Sequence, residues 1–206
     1  VVQPKQEGFG NAVLSAKDAI GKDAFLLVLG DHLYKSKHEH KHSCVQQILE
    51  GYKEYCSDGS ALVGLQKSPG SVISHFGTAT GTWLSPSNKT NKNTDSNEPN
   101  VLKLSAITEK PSIDEARALL RVPGYDDDSF LTVFGYYIIP PIVFEHLQKQ
   151  HNNNLRDKNG QFGFTDVLRN VMNEVGAKGL VMKGERFDLG TPEHFLRTTR
   201  NWNKGV

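Results

Sequence analysis

Cysteine, long apolar runs and net charge are all scarce in this chain. Its 206 residues hold two cysteines, Cys44 and Cys56, at a spacing that suits neither a disulfide scaffold nor a paired metal-ligand motif. Such sparing use of cysteine fits a reducing compartment. No apolar stretch approaches the ~20 residues that span a bilayer, and no secretory signal opens the chain. The expectation is therefore a cytoplasmic protein with no membrane partner. A formal net charge of +1 removes any general attraction to polyanions, so nucleic acid is not an expected partner and any phosphate binding has to be local. There is no internal repeat. The chain also lacks an initial Met and opens on "VVQP", which reads as the end of a strand and suggests a fragment.

What is present reads as globular. Hydrophobic residues make up 37% and charged residues 23%, a usual balance for a folded domain, and the length suffices for one α/β domain with a real core. Ala12, Val13, Ala16, Ala19 and Ile20 recur at helical spacing, and Gly21 is a good stop. "AFLLVLGD" is a buried strand followed by a turn. "SCVQQILEGYKEY" is an amphipathic helix with Ser43 as N-cap. "SALVGLQKS", "HFGTATGTWL", "VLKLSAIT" and "FLTVFGYYII" read as strands, and "GLVMKG" as another. "SIDEARALLR" is a short helix with Ser112 as cap and Glu115 at the capping-box position. "PPIVFEHLQKQ" and "GFTDVLRNVMNEVG" are helices, the first with its prolines at the start. "RFDLG" reads as a turn, and "TPEHFLRTTRNW" as a final helix with Thr191 as N-cap and Pro192 at its first position. Ser85 to Asn100 is almost free of apolar residues and reads as a flexible polar insertion. Strands alternating with helices predict a mostly parallel sheet covered by helices. Ligands in such sheets bind at the carboxyl ends of strands, and Asp31 stands at such an end, directly after the apolar run "FLLVLG".

Four segments in order, "QPKQEGFGNA" from Gln3, "LGDHLY" around Asp31, "TEKP" from Thr108 and "RFDLGTPEHF" from Arg186, resemble the sugar-1-phosphate nucleotidyltransferases. Within them the match is in the style of bacterial-type UTP–glucose-1-phosphate uridylyltransferases, and it covers nearly the whole chain. The resemblance implies a Rossmann-like mixed sheet flanked by helices, of the nucleotide-diphospho-sugar transferase type and incomplete at the N-terminus. Residues 1–206 would be the C-terminal part of one nucleotidyltransferase domain. It further implies that Gln3 reads the pyrimidine base beside Gly8, and that Asp31 and Asp188 bind Mg²⁺. Glu109 would accept hydrogen bonds from sugar hydroxyls and Lys110 would contact the sugar phosphate, while Gly77 and Gly135 let the sugar pack against backbone. Asp31 and Lys110 are thus the catalytic candidates. The chemistry is consistent: a carboxamide both donates and accepts, and Mg²⁺ takes one or two carboxylates plus phosphate oxygens. Each motif also has a plain alternative: a turn at Gln3–Gly8, a turn residue at Asp188, an exposed ion pair in "TEKP" and strand bulges at the two glycines.

The expected substrates are UTP and glucose 1-phosphate. A thymidylyltransferase or another hexose-1-phosphate enzyme, and a non-catalytic sugar-nucleotide-binding or regulatory module, are the alternatives. A homo-oligomer or an upstream segment is left open as partner. In one departure from the family pattern, Gln161 stands where an acidic residue precedes the retained Thr165 and Asp166, which bears on the sugar or on an oligomer contact. The family's Gly-rich loop, resembling G-G-x-G-T-R-L, has no counterpart in the chain, so the chain alone is expected to be inactive and marginally stable. Lys183 and Arg186 are read as surface cations by default. His38, His40 and His42 followed by Cys44 could suggest zinc, but a solvated basic loop is the stronger reading, since one short loop rarely closes a tetrahedral site.

Overall fold

The computed structural model describes residues 1–36, 43–84, 100–157 and 159–202. The His38–His42 tract and residues 85–99 of the polar insertion lie outside the described residues. Two short helices come first, α1 (Phe9–Ser15) and α2 (Lys17–Ile20), broken at Ala16 and stopped by Gly21. Strand β1 (Phe25–Val28) leads through a turn at Gly30 and Asp31 into β2 (His32–Ser36). Helix α3 (Cys44–Tyr55) starts as expected: the Ser43 side chain accepts from the Gln46 N–H while the Gln46 side chain accepts from the Ser43 N–H. Strand β3 (Ala61–Pro69), a 3₁₀ turn (Gly70–His75) and strands β4 (Thr78–Trp83) and β5 (Val101–Thr108) follow. After α4 (Ile113–Leu119), which Ser112 caps, comes the longest strand, β6 (Ser129–Ile139). The chain continues through α5 (Val143–Asn152), α6 (Phe164–Val175), β7 (Ala177–Val181), β8 (Gly184–Asp188) and α7 (Pro192–Asn201). Thr191 caps α7 through the His194 N–H, with Pro at the helix start.

Six strands form one sheet in the order β1-β6-β3-β7-β5-β4, and β4 also pairs with β6, so the sheet curls back on itself. Helices cover both faces. Alternation along β6 explains how: Leu131, Val133, Tyr137 and Ile139 enter the core shared with Phe144, Leu147, Phe164 and Val167 of α5 and α6. Phe134, Tyr136 and Ile138 face the other way and pack with Ile48 of α3, Leu62 and Leu180. A strand buried on both faces has to read as a continuous apolar run, and "FLTVFGYYII" does.

Three expectations need correction. Among the described residues only β3 and β7 pair in parallel; β1–β6, β3–β6, β4–β5, β4–β6 and β5–β7 are antiparallel. The sheet is mixed and helix-covered, but not mostly parallel. Alternation implies parallel neighbours only where consecutive strands lie side by side after a crossover, and here the long strand β6 inserts between β1 and β3. Second, "RFDLG" is not simply a turn: "GERFD" is a strand that pairs antiparallel with "HLYKS" as a separate ribbon, β2–β8, whose polar composition hid it. Third, Val1 and Val2 lie outside any strand and are 84% and 83% exposed. Among the described residues no helix is long and apolar enough to cross a membrane.

Candidate active site

The β2–β8 ribbon explains why an apolar strand delivers a carboxylate. Its register sets His32 opposite Asp188, and the Leu189 N–H donates to the Asp31 carbonyl at 2.8 Å. Two aspartates distant in sequence thereby converge on Gly190. A Cβ placed at Gly190 would lie 3.1 Å from Asp31 Oδ2 and 3.1 Å from Asp188 Oδ1, so at most twice that distance separates the two oxygens. Each carboxylate is steadied by a histidine: Asp31 Oδ1 by His32 Nδ1 at 2.8 Å, Asp188 Oδ2 by His194 Nδ1 at 2.9 Å. The Gly190 N–H donates to Asp188 Oδ1 at 2.7 Å. Burial opposes ionisation at Asp188, but the Gly190 N–H and the neighbouring His194 and His32 outweigh it and hold the carboxyl below its usual range. Asp31 is more open, its side chain 58% exposed.

No group of three or more His, Cys, Asp or Glu side chains among the described residues forms a metal cage. Two convergent carboxylates do fit Mg²⁺, which is commonly held by one or two carboxylates with ligand phosphates completing its shell. Cys44 is buried away from any such role, its thiol pushed up by burial and its sulfur packed on Gly184.

A second cluster joins Gly77, Glu109 and Thr165. Thr165 Oγ1, in the first turn of α6, donates to Glu109 Oε2 at 2.7 Å, and a Cβ at Gly77 would sit 3.4 Å from that same oxygen. Lys110 next door has φ 45, an unusual value for a side-chain-bearing residue, and is exposed without a hydrogen-bond or ion-pair partner among the described residues. One residue of β6 ties the two clusters together. The Val133 N–H donates to the Gly77 carbonyl at 2.7 Å, and the Val133 carbonyl accepts from Arg186 Nη1, two residues before Asp188 on β8.

Arg186 is therefore not a surface cation. Burial lowers its pKa to about 10, and its guanidinium lies 3.6 Å over the Phe76 ring. Gly135 is two residues beyond Val133, with φ 103, and its missing Cβ leaves room for the Tyr34 hydroxyl. That hydroxyl and His32 Nε2 are both buried without a hydrogen-bond partner among the described residues. Gln3 and Gly8 do come together. Gln3 Nε2 donates to Asn11 Oδ1 at 2.8 Å and reaches the Gly8 carbonyl at 3.5 Å. Gly8, at φ 110, is also demanded by packing, since a Cβ there would meet Gln161 Cβ at 2.8 Å. The departure at Gln161 thus sits against the proposed base-binding segment.

His32, Tyr34, His194 and Arg186 are the site-lining residues that the sequence reading missed or misjudged. Period-two spacing in "HLY" and "RFD", once recognised as strands, places His32 with Tyr34 and Arg186 with Asp188.

The mixed α/β sheet thus carries the aspartate pair and, joined to it through Val133, the Gly77–Glu109–Thr165 cluster. The model of the nucleotidyl transferase family matches residues 1–205, and the chain belongs to that family. A curated relative, the UTP–glucose-1-phosphate uridylyltransferase of Staphylococcus haemolyticus, is 25% identical over 199 residues, covering 97% of this chain and 57% of the relative. The crystal structure of a UDP-glucose pyrophosphorylase complexed with UDP-glucose superposes with a TM-score of 0.77 at 26% identity, covering 100% of this chain and 66% of that one. A UTP-bound enzyme of the same name from Acinetobacter baumannii, at 21% identity and a TM-score of 0.70, shares the fold. The chain thus spans little more than half the length of the curated relatives it matches.

Proposed function

We propose that the protein carrying this chain transfers a uridylyl group from UTP to glucose 1-phosphate, giving UDP-glucose and pyrophosphate. The observation that carries the reading is the convergence of Asp31 and Asp188 on Gly190. The sugar-phosphate oxygen attacks the α-phosphorus of UTP, and the bond from that phosphorus to the β-phosphate oxygen breaks. Little covalent chemistry falls to the protein in such a transfer; it positions reactants and stabilises charge. Mg²⁺, held by Asp31 and Asp188, supplies charge neutralisation on the phosphates when bound. Glu109, oriented by Thr165, accepts from sugar hydroxyls over the flat backbone at Gly77. Lys110, exposed beside it, meets the sugar phosphate. Gln3 commits its amide N–H₂ to Asn11 and Gly8, leaving its carbonyl oxygen to accept from the imide N–H of uracil.

Pyrophosphate release from UTP and glucose 1-phosphate with Mg²⁺ tests this on the whole protein. Asp31→Ala is expected to lose about 10²-fold or more in turnover with an unchanged circular dichroism spectrum. Lys110→Ala should raise KM for glucose 1-phosphate and leave KM for UTP in place. Full turnover by Asp31→Ala would remove the aspartate pair from the reaction.

A further inference from the structure

Residues 1–8 belong to no helix or strand, yet they hold Gln3 and Gly8, the proposed reader of the base. A hydrogen bond to a base edge discriminates only while its atoms keep their geometry, so this segment has to be fixed from outside. The connector between α5 and α6 supplies the ties. The Phe162 N–H donates to the Glu7 carbonyl at 2.8 Å, and the Phe162 carbonyl accepts from the Gly10 N–H at 2.8 Å. One residue thus brackets Gly8, and Gly8 itself lies so close to Gln161 and Phe162 that no Cβ fits between them. Phe162 is in turn held in place. It is 3% exposed, with the Arg156 guanidinium 4.2 Å over its ring and the His151 ring 5.1 Å away. Arg156 is engaged on three sides. Its Nε donates to Asn154 Oδ1 at 2.7 Å, Nη1 to the Gly160 carbonyl at 2.9 Å and Nη2 to Glu7 Oε1 at 2.9 Å. The connector also closes on itself, because Asp157 Oδ1 accepts from the Asn159 N–H at 2.8 Å and the Gln161 N–H at 3.0 Å, the usual way an Asp shapes a turn. Stability is not the main product of this arrangement. The Arg156 and Glu7 side chains are 32% and 26% exposed, and ion pairs open to solvent contribute little. A planar fork with three donors fixed and its face on a ring gives position instead.

We infer that Arg156 is a positioning residue for nucleotide recognition: by fixing Phe162 and Glu7 it sets the register of the Gln3–Gly8 segment against the uracil edge. This rests on the assignment of that segment to the base under the proposed function, and adds the residue on which its selectivity depends. Calorimetric titration of the whole protein with UTP and with CTP, both with Mg²⁺, reads it. CTP lacks the imide N–H from which the Gln3 carbonyl accepts. Arg156→Met is expected to weaken UTP binding roughly tenfold and CTP binding far less, so the preference for UTP shrinks. Arg156→Lys keeps the charge beside Glu7 but not the fork and plane, and should fall between. Arg121→Met breaks another exposed pair, with Asp127, and should leave UTP binding unaltered. Arg156 is an exposed residue, so the thermal unfolding midpoint should barely move. UTP binding indifferent to Arg156→Met, equal weakening of UTP and CTP, or the same loss in Arg121→Met overturns the inference and leaves uridylyl transfer standing. No UTP binding by the unaltered protein overturns it together with the base assignment. A UTP preference that follows Arg156, in a protein that transfers nothing to glucose 1-phosphate, would sink only the proposed reaction.

Discussion

The Tyr34 hydroxyl has no hydrogen-bond partner among the described residues although it is buried, and burial drives its pKa upward, so it stays protonated. Leaving a buried donor unmade costs free energy that removal of the hydroxyl would recover. Tyr34→Phe is therefore expected to be neutral or stabilising, within about 1 kcal/mol, as read by urea denaturation. A loss clearly above that would reveal a partner for the hydroxyl. The same packing explains Gly135. The left-handed φ favours glycine, and the ring of Tyr34, 4.3 Å from that of Tyr136, leaves no room for a side chain.

At the scale of elements, the turn between α3 and β3 is held by charge. Lys178 Nζ of β7 lies 2.7 Å from Asp58 Oδ2, and Ser60 Oγ donates to Asp58 Oδ1 at 2.7 Å. The Lys178 hydrogen bond, with that of Ser60, lowers the Asp58 pKa to about 2. A depressed carboxylate pKa contributes stability that is present above the unfolded value, near 4, and is lost as pH falls through the folded one. Thermal unfolding is thus expected to lose this contribution between pH ~4 and ~2, in a step that Asp58→Asn removes. Since the Asp58 side chain is 60% exposed, the step should be small and weaken with salt. An identical pH profile for Asp58→Asn would show that the ion pair does not couple to folding.

At the scale of the molecule, β1 is the vulnerable place. Strand β6 covers one of its edges, and among the described residues nothing pairs with the other. Val28 is 41% exposed and the rest of β1 is only partly buried. An open apolar edge templates pairing with another chain. Sedimentation of the 206-residue chain should show self-association that Val28→Lys reduces, because a lysine on an edge disfavours docking. A monomeric chain at high concentration would show that the edge is protected.

Local chemistry was legible from the residues alone. Caps at Ser43, Ser112 and Thr191 and the stop at Gly21 depend on a few neighbouring atoms, and the four ordered motifs around Gln3, Asp31, Glu109 and Asp188 carried the family. Pairing partners were not legible, because strand direction depends on which strands meet. A long strand buried on both faces, such as β6, reads the same whether its neighbours run parallel or antiparallel. The polar ribbon β2–β8 left no apolar signature, so Arg186 read as a surface cation. Only the tertiary structure carried it under Phe76 to the Val133 carbonyl and brought Asp31 to Asp188. Those contacts form between segments whose separation along the chain carries no local trace, and they exist only once the sheet and ribbon have closed.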